Sequence, residues 1–121
     1  MKILLAALVS ILLSVGAQFT LKAGMSSDSV RLALAQPLAL RSAWDILSNG
    51  LVISGFALYA LGAVVWLVVL AQWDVSKAYP LVGLGFVFTL VVGLMQGEQI
   101  GVARAAGVLL IVLGVFLVSR S

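Results

Sequence analysis

No cysteine and no histidine occur among the 121 residues. Disulfides, thiolate nucleophiles, imidazole bases and the commonest zinc and haem ligands are thereby excluded, and cysteine usage says nothing about redox compartment. Charge is scarce too: Asp and Glu number 4 and Lys and Arg 7, together 9% of the chain, where soluble domains carry about 25%. So little polar surface cannot dissolve a globule. The basic residues stand singly, so a net charge of +3 makes no clustered patch of the kind nucleic acids require. Asp28, Asp45, Asp74 and Glu98 fall in separate connections, which leaves no carboxylate pair for acid–base catalysis. No metal, no cofactor and no nucleic-acid partner is expected.

What the chain does have is apolar length. Apolar residues make up 64% of it, the mean hydropathy is +1.27, and residues 46–73, 78–97 and 105–119 contain no charge at all, while a fourth apolar run opens at Ile3. A bilayer core takes roughly 20 helical residues, and backbone groups inside lipid must bond within their own segment. The expected fold is an all-α membrane protein, one domain over 1–121, with four transmembrane helices at about 3–23, 51–70, 79–95 and 102–118 and an interfacial loop at 25–48. Lys2, the run Ile3 to Leu13 and the small residues Val15-Gly16-Ala17 imitate a signal peptide. Apolar residues continue past that point through Phe19, Leu21 and Ala23, so the segment reads as a retained first helix.

The loop after it holds Asp28, Arg31, Arg41 and Asp45. Ser42 suits the N-cap of a short helix through Leu47, and Trp44 with Ile46 and Leu47 suits the aromatic belt at the headgroup level. Val30, Leu32, Leu34, Leu38 and Leu40 form a patchy apolar face broken by Pro37. Two readings stand: one or two turns lying on the membrane, or a disordered loop. The remaining connections, Asn49-Gly50, Asp74-Val75-Ser76-Lys77 and Gln96-Gly97-Glu98-Gln99, are short, which makes the last three helices antiparallel to their neighbours. Lys2, Lys77 and Arg120 then fall on one side and Lys22, Arg31, Arg41 and Arg104 on the other. That balance barely specifies orientation; it permits an antiparallel homodimer and equally a heterodimer of oppositely oriented homologues. Gly107 and Gly114, seven apart on the fourth helix, mark a seam where another backbone can approach, and Gly83-Leu84-Gly85 after Pro80 softens the start of the third.

Polar side chains at membrane depth are costly and face a cavity or a partner. Ser10, Ser14, Gln18 and Lys22 recur every four residues and share one face of the first helix. For the two serines the alternative is a packing seam with hydroxyls bonded back to the backbone. Gln18 and Lys22 are harder to bury without a ligand, although Lys22 can also snorkel to the headgroups. Tyr59 and Trp66, seven apart on the second helix, and Tyr79 at the start of the third are either pocket walls or interface aromatics. Glu98 is either a solvated turn carboxylate or a site residue.

The segments Ser14-Val15-Gly16-Ala17-Gln18 with Lys22, Tyr59, Ala78-Tyr79-Pro80 through Phe86, Gly97-Glu98 and Gly107 to Val115 resemble four-helix members of the drug/metabolite transporter superfamily, over nearly all the chain outside 25–48. Small multidrug resistance proteins of that superfamily carry a glutamate in helix one, eight residues before the lysine, where this chain has Ser14. They also carry a tryptophan three residues after the tyrosine, where it has Val82. Without the carboxylate, exchange of a drug cation for protons loses its mechanism. Leu13-Ser14-Val15 through Gln18 and Lys22, followed by Val75 to Leu81, is instead similar to the flippase subunits that move aminoarabinose linked to undecaprenyl phosphate. That resemblance implies a multi-pass protein of the bacterial inner membrane, working in pairs and moving a polyprenyl-phosphate-linked sugar or a similar anionic lipid by alternating access. It implies a binding set of Ser14, Gln18, Lys22, Tyr59, Tyr79 and Glu98, with Lys22 and Gln18 on the phosphate or sugar and Ser14 and Tyr59 deeper. Export of small polar solutes or drugs, and a non-transporting subunit of a larger complex, are the alternatives.

Overall fold

The computed structural model describes residues 1–37 and 39–121; Leu38, one member of the apolar face expected in the loop, lies outside them. The unbroken apolar opening, free of proline, forms α1 (Lys2–Met25). Two short helices follow, α2 (Asp28–Ala35) and α3 (Leu40–Leu47), then α4 (Gly50–Gln72). The next limb is composite: a single turn α5 (Val75–Ala78), a 3-10 segment (Tyr79–Leu84) and α6 (Gly85–Met95). The last helix is α7 (Val102–Arg120). Four stretches, Lys2–Met25, Gly50–Gln72, Val75–Met95 and Val102–Arg120, are long and apolar enough to cross a membrane, and no strand occurs among the described residues.

Local chemistry sets the breaks. Asn49 caps α4, its Oδ1 accepting from the backbone N–H of Leu51 at 3.0 Å and of Val52 at 3.3 Å, which satisfies orphan donors of the first turn. Its Nδ2 donates to Ser27 Oγ at 3.2 Å, and Ser27 Oγ donates to the Gly24 carbonyl at 2.6 Å. The end of α1 and the start of α4 are thus tied across the loop. Between them, α2 and α3 are regular helices. Ser42 does not cap α3: the helix starts at Leu40 behind Ala39, and the buried Ser42 hydroxyl donates to the Pro37 carbonyl at 3.3 Å, folding α3 back on the turn. Leu40, Trp44 and Leu47, spaced on one face, are 92%, 72% and 54% exposed, so the stripe is turned away from the bundle. In the third limb Val75 to Lys77, expected as a turn, is helical behind Asp74, with the Lys77 ammonium 4.6 Å from the Trp73 ring centre. Pro80 supplies no N–H and tightens the next turns to 3-10 geometry.

α1 packs most extensively on α4, in antiparallel register. Glycines permit the approach. A Cβ on Gly24 would lie 2.9 Å from Val52 Cγ2, one on Gly55 2.5 Å from Leu21 Cγ, and one on Gly62 3.3 Å from the Ser10 carbonyl oxygen. Toward the end marked by Lys2 and Lys77, Ala7, Ile11, Val15, Val69, Ala78, Leu81 and Val115 form the buried core, with Trp66, Trp73 and Phe88 against it. Apolar packing closes that end of the bundle. α7 leans on the 3-10 segment and α6, where a Cβ on Gly83 would meet Ile111 Cγ2 at 3.0 Å. The seam expected at Gly107 and Gly114 is not used within the chain, since nothing lies within 4 Å of either added Cβ.

Gly55→Ala therefore overpacks the α1–α4 seam and lowers stability by about 1–3 kcal/mol, read as an earlier thermal unfolding midpoint in detergent. Gly50→Ala, where a Cβ meets nothing within 4 Å, leaves that midpoint unchanged or slightly raised.

Candidate functional site

The polar stripe of α1 divides when the other helices close around it. Ser10 belongs to the packing seam: its buried hydroxyl donates to the Gly62 carbonyl at 2.7 Å. Ser14, one turn on, donates back to the Ser10 carbonyl at 3.0 Å while its oxygen edge borders open space. Gln18 Nε2 donates to the Tyr59 hydroxyl, so amide and phenol hold each other across the α1–α4 interface. Lys22 lies beyond them, exposed.

These groups face a cavity of about 540 Å³. Its lining includes Ser10, Ser14, Gln18, Tyr59, Trp66, Tyr79, Phe86 and Thr89, and, among the described residues, no charged one. α1 forms its floor. α4 makes one wall, and the 3-10 segment with α6 makes the other; these two walls hardly touch each other, so the space is a cleft between them rather than a closed core void. Such a surface offers hydroxyls and one amide for hydrogen bonding and aromatic faces for stacking or for a cation. It offers no fixed charge to hold an ion tightly.

A second, smaller hollow of about 240 Å³ lies between α1, α6 and α7, lined by Phe19, Phe86, Thr89, Leu90, Glu98, Ile100, Arg104 and Val108. Phe86 and Thr89 border both spaces. Gly97, at φ +85°, turns the chain so that the Glu98 N–H donates to the Gly93 carbonyl at 2.9 Å. The Glu98 carboxylate folds over Gly93, where an added Cβ would sit 2.6 Å from Oε2.

Of the residues expected to bind, Ser14, Gln18, Tyr59 and Tyr79 line the large cleft, Glu98 lines the smaller hollow, and Lys22 lines neither. Thr89 and Arg104 were missed. Thr89 is a polar residue in an apolar run, which the rule that exposed Ser14 would have flagged; Arg104 comes to share a hollow with Phe19 only through tertiary packing. No group of three or more Asp, Glu, His or Cys side chains converges for a metal among the described residues.

A four-span bundle with an uncharged, largely apolar cleft edged by a few polar groups suits a small membrane transport protein. The sequence has named relatives of that kind. It is 33% identical over 118 residues, 94% of this chain and 89% of the relative, to a protein of Proteus mirabilis described as a probable 4-amino-4-deoxy-L-arabinose-phosphoundecaprenol flippase subunit, ArnF. It is 40% identical over 83 residues to the subunit ArnE of Pseudomonas savastanoi, covering 68% of this chain and 67% of the relative. It is 37% identical over 84 residues to ArnE of an Enterobacter species, covering 69% and 74%. No protein-family profile and no solved structure matches the chain. The chain belongs to this family of flippase subunits and is a multi-pass protein of the inner membrane.

Because the sequence contains no cysteine, single-cysteine variants report on the cleft without background. In native membranes Ser14→Cys and Thr89→Cys react with a water-soluble maleimide several-fold faster than Val64→Cys, which stands on the exposed apolar surface of α4. Equal rates at all three positions would mean that water does not enter.

Proposed function

We propose that the chain is one subunit of a flippase that moves 4-amino-4-deoxy-L-arabinose-phosphoundecaprenol, or a similar polyprenyl-phosphate-linked sugar, across the inner membrane. The observation that carries this reading is an uncharged, largely apolar cleft, edged by the polar groups of Ser14, Gln18, Tyr59 and Thr89, whose walls, α4 and α6, do not close on each other. A lipid-linked sugar has two parts that want different solvents. The polyprenyl tail stays in hydrocarbon, while carrying the headgroup through the same hydrocarbon unaided is expensive. An open-sided cleft relieves that cost. Ser14, Gln18, Tyr59 and Thr89 replace water around sugar hydroxyls, and the faces of Trp66, Tyr59 and Tyr79 take the ring and its ammonium. Lys22, exposed beyond Gln18, draws the anionic lipid toward the mouth.

Ser14 at the place of a helix-one carboxylate removes the anion that a drug-cation exchanger needs, which supports lipid over drug as cargo. The relatives are named as subunits, and the near-even distribution of basic residues between the two sides suits an oppositely oriented homologue as partner. α7 is the surface for it: its span is the least buried of the four, and Gly107 and Gly114 are open to a second backbone. Rocking of the paired subunits about the cleft gives alternating access.

Mass spectrometry of lipid that co-purifies with the chain and its partner tests the reading. The expected species is a polyprenyl phosphodiester of an amino sugar; bulk phospholipid alone contradicts it. Gln18→Ala and Tyr59→Ala, each removing one side of their hydrogen bond and its reach to cargo, lower transport in vesicles about tenfold.

A further inference from the structure

The large cleft has no charged lining residue, yet the proposed headgroup carries a phosphodiester anion and an ammonium. The charges that answer them stand in the second hollow. Among the described residues, Arg104 and Glu98 are the only charged ones lining either space, and they make no ion pair with each other within 4.0 Å. The two start from different places in the chain. Glu98 is folded over Gly93 by the turn at Gly97, and Arg104 projects from the first turn of α7. Around these two exposed groups stand the apolar side chains Phe19, Phe86, Leu90, Ile100 and Val108. They also offer a surface to the first units of a hydrocarbon tail.

We propose that this hollow is a loading subsite, which recognises a lipid headgroup bearing one phosphodiester anion and one ammonium before the headgroup passes Phe86 and Thr89 into the uncharged cleft. The inference rests on the proposed lipid cargo and adds how that cargo is selected. Arg104 receives the phosphodiester through charge-assisted hydrogen bonds. Glu98 receives the ammonium and disfavours a bare phosphate monoester, whose greater negative charge meets the carboxylate without an ammonium to offset it. Selection by a carboxylate thus separates the sugar-loaded lipid from the same lipid without its sugar. Handing the headgroup on to a cleft without charge keeps it from being held too tightly to leave. Phe86 and Thr89, both on α6, border both spaces, so the transfer runs past them where α6 packs on α1.

The test is a binding titration of the full chain in detergent with three probes: undecaprenyl phosphate, its amino-sugar phosphodiester and a neutral-sugar phosphodiester. Arg104→Gln weakens all three by about tenfold or more, and Arg104→Lys recovers part of the loss. Glu98→Gln weakens only the amino-sugar lipid, by about tenfold, and tightens undecaprenyl phosphate. Arg41→Gln, on α3 outside both spaces, changes none of them and controls for net charge. If the wild-type chain binds the phosphodiesters but Arg104→Gln leaves them within about twofold, or Glu98→Gln weakens both phosphodiesters equally, the subsite is wrong while the cargo stands. If the wild-type chain binds none of the three, both fall.

Discussion

The close approach of α1 to α4 is the constraint on which the rest of the molecule depends. It is made by absence of side chains at Gly24, Gly55 and Gly62 and is pinned by the buried hydrogen bond from Ser10 to the Gly62 carbonyl at 2.7 Å. In hydrocarbon the hydrophobic effect does not drive one apolar helix against another, so van der Waals contact and such bonds carry the association. This seam absorbs the first hydroxyl of the polar stripe. By doing so it fixes the rotation of α1 and turns Ser14 and Gln18 toward the space between α4 and α6.

The distribution of charge follows from the same arrangement. With α1 as a floor common to both spaces, the middle of the bundle contains hydroxyls, an amide and aromatic rings, and its ends contain the ions. Buried charge is expensive without a partner, and a fixed ion at mid-membrane would bind an opposite charge too firmly for passage. A neutral cleft lowers the barrier for a polar group without creating a deep well. The apolar core at the end marked by Lys2 and Lys77 and the hollow with Glu98 and Arg104 at the other make the two ends of this chain chemically unlike.

Much of this was legible in the residues. Four spans stand out because lipid demands long runs without charge, and the stripe from Ser10 to Lys22 stands out because polar groups are rare enough there for their period to show. The family resemblance was legible for the same reason, in Ser14, Gln18, Lys22 and the segment around Tyr79. What a single helix cannot reveal is which neighbour its small residues meet. Gly107 and Gly114 on α7 and Gly55 and Gly62 on α4 have the same spacing of seven, yet only the α4 pair is filled by another helix of this chain. Likewise Lys22 shares a helical face with Gln18 but lies past the end of the cleft, and Arg104 reaches its hollow through a turn whose geometry depends on Gly97. The short loop helices and the 3-10 stretch after Pro80 answer to local hydrogen bonding, from Ser42 to Pro37 and around the missing proline N–H, finer than hydropathy can register.

The most direct measurement of the central claim fills the cleft without touching the seam. Ala63 lines the cavity from α4, and Ala63→Trp places an indole where the headgroup would pass. Vesicles holding the chain and its partner subunit, with amino-sugar lipid in the inner leaflet, are followed with an amine-reactive reagent that cannot cross the bilayer. The wild type exposes the amine far faster than protein-free vesicles, and Ala63→Trp returns the rate to that background while the protein keeps its thermal unfolding midpoint. Undiminished transport by a folded Ala63→Trp protein would show that the headgroup takes another route.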